Sequence, residues 1–249
     1  MIRVLLLLLL ATPVAAETIV AGLSQNRVSI TANFDGSEIL IYGAVRRDEP
    51  PPDSAQMEVI ITVEGPQAPL VIRRKERVAG IWINQSSVTI DAAPSFYAVA
   101  TTGQLVDILS STEDLRHSIT IPHAIRAVGI SAEAEDAPDF VEALERIREN
   151  EDRYRLAIGS VQFVEETLFR ADVILPANLT EGDYRVRIFL LRDGAVVDEQ
   201  TRNIGVRKTG LERYLFNMAH DEPLAYGLVS LILAVMAGWG ASAAFRLIR

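Results

Sequence analysis

Four cations fall within five residues at Arg73-Arg74-Lys75-Glu76-Arg77, the one basic cluster of the chain's central portion. Clustered charge of this kind attracts phosphates, carboxylates or lipid headgroups, so Arg73, Arg74, Lys75 and Arg77 are candidate anion-binding residues. The same pattern suits an edge strand whose charge keeps it from pairing with other chains, and both readings stay open. The three histidines are His117, His123 and His220. His117 and His123 flank Pro122, and a metal or catalytic role for them requires carboxylates brought in from distant segments, because no spacing motif announces a ligand set. His220 stands beside the last apolar segment and reads as solvated.

Other catalytic signals are missing from the sequence. It holds no glycine-rich phosphate loop, no GxSxG elbow, no HExxH pair and no calcium loop. It has no cysteine, which excludes disulfides, thiolate metal ligands and lipid attachment through cysteine. We therefore expect no catalytic residues, no metal, no cofactor and no enzymatic activity. The formal charge is -9, from 24 Lys and Arg against 33 Asp and Glu, so nucleic acid is not an expected partner.

The elements that must position these residues begin and end with apolar segments. Residues 1-16 carry an early Arg3, an apolar run from Val4 to Ala11 and small residues at Ala15-Ala16, the pattern of a secretory signal peptide. The run is about half of the ~20 residues that a spanning helix needs. Leu224 to Phe245, by contrast, is 22 residues without a charge, about 33 Å as a helix against a hydrocarbon core of ~30 Å. A transmembrane helix is predicted at 223-245, with lipid as its first partner. Asp221 and Glu222 precede it and Arg246 and Arg249 follow it. The positive-inside rule then places the tail, 246-249, in the cytoplasm and the preceding mass in the periplasm of a bacterial inner membrane. With so short a tail, transmission across the membrane has to use a partner.

Ser230, Ala234, Gly238 and Ser242 recur every four residues along this helix. Such a small-residue stripe lets two backbones approach closely, making it a candidate helix–helix interface, for self-association or for another membrane protein. In the juxtamembrane segment 209-222, Leu211, Tyr214, Leu215 and Met218 share a helical face and Pro223 marks a break. That face suits either the membrane surface or the adjacent domain.

Between the ends, short β-branched runs alternate with turn residues, which predicts a mainly β protein of one or two immunoglobulin-like β-sandwich domains. The clearest hairpin has Tyr184, Val186, Ile188 and Leu190 on one face and Asp193-Gly194 at the turn. A similar hairpin is predicted over 27-45 around Asp35-Gly36. Met57, Val59, Ile61 and Val63 share a strand face, with Gly65-Pro66 ending the strand. Further strands are predicted at 70-74, 80-84, 88-91 and 96-101, and Pro50-Pro51-Pro52 is a loop. A surface helix with Asp136 as N-cap buries Phe140, Leu144, Ile147 and Tyr154, while Glu142/Arg146 and Glu149/Arg153 pair on its exposed face. The acidic stretch Glu133-Ala134-Glu135-Asp136 reads as helix-entry charge. The expected organisation is a sandwich over 17-131, a connecting helix over 132-157 and a second, smaller sandwich over 158-208.

The segments LSQNRVSITANFDGSEILIYGAV, RRKERVAGIWIN, APSFYAVATT, LPANLTEGDYRVRIFLLRDGAVV and YGLVSLILAVMAGWGASAAFR resemble the putative transmembrane protein family of alphaproteobacteria, across almost the whole chain. The resemblance implies an exported domain with one C-terminal helix and brings no catalytic residues. Members of that family are often encoded beside sulfite-exporter-like permeases, which implies a helper of such a transporter. The expected function is thus that of a non-enzymatic accessory subunit of a membrane complex. The alternative is a membrane-tethered periplasmic module binding a small anion through Arg73, Arg74, Lys75 and Arg77.

Overall fold

The computed structural model describes residues 17-31, 33-47, 56-127 and 137-247. The expected signal peptide, the triple-proline loop, the acidic stretch at 133-136 and the Asp136 cap lie outside the described residues. Strands dominate, and one long apolar helix lies at the C-terminal end, so the protein is mainly β with a C-terminal helix. The chain divides into two compact units, one running to Val28 and over Asp35–Val206, the other formed by Ser29–Phe34 and the segment from Arg207 onward.

Among the described residues, two sheets and a ribbon are built from twelve strands: β1 Thr18–Leu23, β2 Arg27–Ile30, β3 Ser37–Arg46, β4 Met57–Glu64, β5 Gln67–Val78, β6 Ile81–Pro94, β7 Tyr97–Thr101, β8 Tyr154–Ala157, β9 Gln162–Val164, β10 Leu168–Leu175, β11 Gly182–Arg192 and β12 Ala195–Lys208. One sheet has the order β1-β3-β10-β9, the other β2-β12-β11-β4-β7-β8, and β5 pairs with β6 as a two-stranded ribbon.

This order corrects the expected division at 131 and 158. Strands from before and after the central helix share both sheets, because β10 pairs with β3 and β11 with β4. The helix has a different task. β7 and β8 are parallel neighbours, and parallel strands need a long crossover. That crossover carries α1 Leu105–Ile108, α2 Ser111–His117, α3 Ile121–Ala124 and α4 Ala137–Asn150. Tyr154, expected on the helix, instead begins β8 opposite Tyr97, because the helix stops at Asn150 and Asp152 adopts a left-handed φ of 57°. Arg153 is therefore not on the helix either; it pairs with Glu151 at 3.4 Å, as Arg148 does at 3.1 Å.

The predicted hairpin at Asp193-Gly194 forms as expected. Both turn residues have positive φ, 50° and 79°, the geometry whose twist matches paired strands, and β11 pairs with β12 along its length. The hairpin predicted around Asp35-Gly36 does not form. β2 and β3 belong to different sheets, so this segment crosses from one sheet to the other.

Alternation decides what each face covers. In β10, Phe169, Ala171, Val173 and Leu175 are buried while Leu168, Arg170, Asp172 and Ile174 are not, so the four-stranded sheet has one core face. β4 and the distal half of β11 are buried on both faces. On one side of them Ile60, Tyr97, Val99, Phe189 and Leu191 pack with Ile108, Ile119 and Ile121 of the crossover and its loops, Phe140 and Leu144 of α4, and Val88 and Ile90 of β6. On the other side Val59, Ile61, Val63, Val186 and Ile188 are fully covered, and the apolar face of the four-stranded sheet meets this layer where β10 contacts β7. Gly43 shows how tight the first sheet is: a Cβ there would lie 2.5 Å from the Phe169 ring and 2.6 Å from the Val20 carbonyl.

In the second unit α5 Leu211–Asp221 is followed by Glu222, which leaves helical geometry at φ -133° and ψ 64°. α6 Pro223–Leu247 then starts on a proline, favoured in a first turn because its missing N–H would have no partner there. Its segment Pro223–Ser242 has a mean hydropathy of 1.8 and is wholly unburied. In α5, Phe216 stacks on His220 at 4.1 Å and Lys208 Nζ lies 4.6 Å above the Phe216 ring; Tyr214 and Leu215 are exposed.

Candidate functional site

The structure separates the residues singled out above into three places. The first is a cleft of about 500 Å³ between the β5–β6 ribbon and α4, lined by Ile72, Arg73, Arg74 and Lys75 on one side and by Asp139, Phe140, Glu142, Ala143, Arg146 and Ile147 on the other. Arg74 lies 5.3 Å over the Phe140 ring and 3.6 Å from Glu76. Arg77 is absent from this lining; it sits farther along the ribbon, opposite Trp82. The cations that share the cleft thus face Asp139 and Glu142, which offset part of their pull on an anion.

The second place is a polar cleft of about 360 Å³ lined by Glu64, Gln67, His117, Ser118, His123, Arg126, Arg185 and Arg187. Its parts come from distant segments. Ser110 caps α2 by accepting from the Glu113 N–H at 3.4 Å, and Ser118 ends the helix in a left-handed conformation. Terminal helix carbonyls lack intrahelical partners, and Arg187 of β11 supplies them, donating to the His117 carbonyl at 2.6 Å and the Ser118 carbonyl at 3.0 Å. Arg185, two residues earlier on the same face of β11, donates to the buried Glu64 carboxylate at 2.6 and 3.1 Å. His117 lies between Glu113 at 3.3 Å and Glu199 at 3.1 Å. His123 Nδ1 lies 2.7 Å from Asp114.

The carboxylates that His117 and His123 need for any joint chemistry are therefore supplied by the fold. Among the described residues, no group of three or more His, Asp or Glu is placed to hold a metal ion. Arg126, Arg185 and Arg187 line this cleft together with Glu64, so cationic side chains outnumber the carboxylate in its wall. The sequence reading missed Arg126, Arg185 and Arg187. The alternation of β11 marked Arg185 and Arg187 as one face, but no local signal placed α2 and α3 against it. Burial beneath this cleft pushes the Tyr97 hydroxyl up to about 12, with Arg187 acting against the shift.

The third place is α6, where Ser230, Ala234, Gly238 and Ser242 are all exposed, and a Cβ added to Gly238 would meet open space. His220 lies apart from the other histidines, on α5, its Nδ1 2.9 Å from the Phe216 carbonyl.

Comparison with known proteins adds the family. A solved structure, the sporulation control protein Spo0M from Bacillus subtilis, is 10% identical, with 83% of this chain and 55% of that chain covered at a TM-score of 0.31. A likeness so low carries no argument. The chain thus spans little more than half the length of that protein. No curated protein matches the chain in sequence. The family model described as "Putative transmembrane protein (Alph_Pro_TM)" matches residues 18–247, and the chain belongs to that transmembrane family.

Proposed function

We propose that this single-pass membrane protein is a non-enzymatic accessory subunit of a cytoplasmic-membrane complex such as a transporter. In this reading residues 1-16 are a signal peptide, the sheets form a periplasmic β-sandwich platform, and α6 crosses the inner membrane with its C-terminus in the cytoplasm. The charges flanking the uncharged stretch of α6, Asp221 and Glu222 before Pro223 and Arg246 near the helix end, agree with that orientation. The observation that carries the reading is the exposed face Ser230-Ala234-Gly238-Ser242, a small residue at every fourth position of an apolar helix. In lipid, helices associate by close packing rather than by hydrophobic exclusion, so a face of this kind supports docking on a neighbouring helix. Cross-linking in native membranes and co-purification in mild detergent test it. A membrane protein should accompany the wild type and be lost with Gly238→Ile. Recovery of both only as free monomers would overturn the reading.

A second reading, a membrane-tethered module for a small anion, is favoured by the polar cleft of Arg126, Arg185 and Arg187 and by the cations Arg73, Arg74 and Lys75 of the first cleft. Calorimetric titration with sulfite, sulfate, phosphate and simple carboxylates distinguishes the two sites. Saturable heat lost with Arg126→Glu assigns the polar cleft, and heat lost with Arg73→Glu and Arg74→Glu assigns the ribbon. A flat titration removes this reading.

A further inference from the structure

The β5–β6 ribbon is seated on the core only at its base, where Leu70, Ile72, Val88 and Ile90 pack. The strands then continue past α4 and turn at Ala79 and Gly80, both with positive φ, 51° and 87°, so the far end is a tight, regular hairpin. From Lys75 to the turn this extension measures about 15 Å at ~3.3 Å per residue. Its register puts Arg77 opposite Trp82 and Lys75 opposite Asn84 on one face, and Val78 opposite Ile81 and Glu76 opposite Ile83 on the other.

Among the described residues, nothing in the first unit covers the apolar side chains at this end. Trp82 is 68% exposed and Ile81 65%, with Val78 and Ile83 also open. Packing among the described residues therefore gives no reason for a tryptophan and two isoleucines there, and such exposed apolar clusters mark interaction sites. Just behind them stand Arg73, Arg74, Lys75 and Arg77, with Glu76 among them in sequence and Asp139 and Glu142 across the cleft from the first three. In a chain of net charge -9 this is a local reversal of sign.

We propose that the ribbon is a membrane-contacting arm: Val78, Ile81, Trp82 and Ile83 enter the headgroup region of an anionic bilayer while Arg73, Lys75 and Arg77 bind the lipid phosphates. Three observations choose lipid over a protein partner. The apolar tip with a cationic collar is the charge pattern of interfacial segments. Tryptophan prefers the membrane–water boundary. The same chain carries a candidate membrane span, Pro223–Ser242, and tethering raises the effective concentration of the surface that the arm would meet.

The test uses the full-length chain. It has two tryptophans, Trp82 and Trp239, so Trp239→Phe leaves Trp82 as the sole fluorophore. The protein is reconstituted into phosphatidylethanolamine vesicles with or without phosphatidylglycerol, and Trp82 emission is quenched either by lipids spin-labelled near the headgroup or by aqueous acrylamide. We expect strong lipid quenching and acrylamide protection with phosphatidylglycerol, and loss of both in its absence, at high salt, and in Arg73→Glu/Arg77→Glu. These positions are exposed, so the variant should keep the wild-type melting temperature, which is measured alongside. Trp82 freely accessible to acrylamide in every vesicle would overturn the proposal. So would protection without lipid quenching, which would mean that a second copy covers the arm, and so would equal lipid quenching in both compositions. Gly238→Ile serves as the independent control, because it addresses the accessory role and should leave Trp82 quenching unchanged.

Discussion

Glu17 Oε1 stands 3.2 Å from Arg47 Nε, and the other oxygen of the same carboxylate meets Arg192. One buried carboxylate thereby ties the residue ahead of β1 to the ends of β3 and β11, and so links the two sheets. Removing one member of such a group leaves desolvated charge without compensation. Glu17→Ala should therefore destabilise the first unit by about 3 kcal/mol, with Glu17→Gln recovering part of the loss. Thermal unfolding of the detergent-solubilised chain is the measurement, and an unchanged midpoint for Glu17→Ala would refute the linkage.

Asp114 is the second buried carboxylate with a structural task. It accepts from the Ile119 N–H at 3.1 Å, the Thr120 N–H at 2.8 Å and the Thr120 hydroxyl at 2.8 Å, besides its contact with His123. These bonds fix the turn between α2 and α3. Asp114→Ala strands the buried Ile119 N–H, at about 1–3 kcal/mol, and frees the half-buried Thr120 donors, so it should lower the melting temperature well below that of His123→Ala. Equal effects of the two variants would show that the histidine contact, and not the backbone donors, holds the turn.

High pH probes the core from another direction. Burial is the main cause that raises Tyr97 from 10.0 to about 12, and it also raises Tyr154 and Tyr184. Each phenol donates to a carbonyl, of Ile119, Pro94 and Thr180 respectively. A hydroxyl whose folded pKa exceeds its unfolded value favours the folded state while protonated. Its contribution is complete below pH 10 and falls away as pH rises through about 12. Phenolate absorbance should accordingly report three tyrosines that resist ionisation until the protein unfolds, and stability should decline above pH 10. Normal titration of all six tyrosines in the native protein would contradict this.

Export and orientation have direct readouts. Amino-terminal sequencing of the membrane-extracted protein should begin at Glu17. An alkaline phosphatase reporter joined after Arg249 should be inactive, and the same reporter joined after Lys208 active. The opposite pattern would reverse the proposed orientation.

Some of this molecule is written locally. The 22 uncharged residues from Leu224 to Phe245 need no partner to declare a span, since length and polarity against a bilayer decide it. Asp193-Gly194 likewise specified its own hairpin, because positive φ at both positions is a property of those two residues and their neighbours. Spacing assigned Phe140 and Leu144 to a buried helix stripe, and they are buried, whereas Ile147, placed on the same stripe, is exposed. The candidate interface on α6 was also legible, as a four-residue repeat of small side chains.

Apart from the β11–β12 hairpin, the pairing of strands was not legible. The alternation in β3 suits β2 as well as it suits β10, because a period of two specifies a face and not a neighbour. Only the assembled sheets chose, sending β2 and β3 to different sheets and making the helix a crossover between β7 and β8. The same long-range choice gathered Arg185 and Arg187 around His117 and His123, and left Trp82 and Ile81 standing beyond the core. Composition and turn chemistry thus determined the membrane segment and the β character of the rest, while burial, which depends on residues far apart in the chain meeting, decided the domain and its clefts.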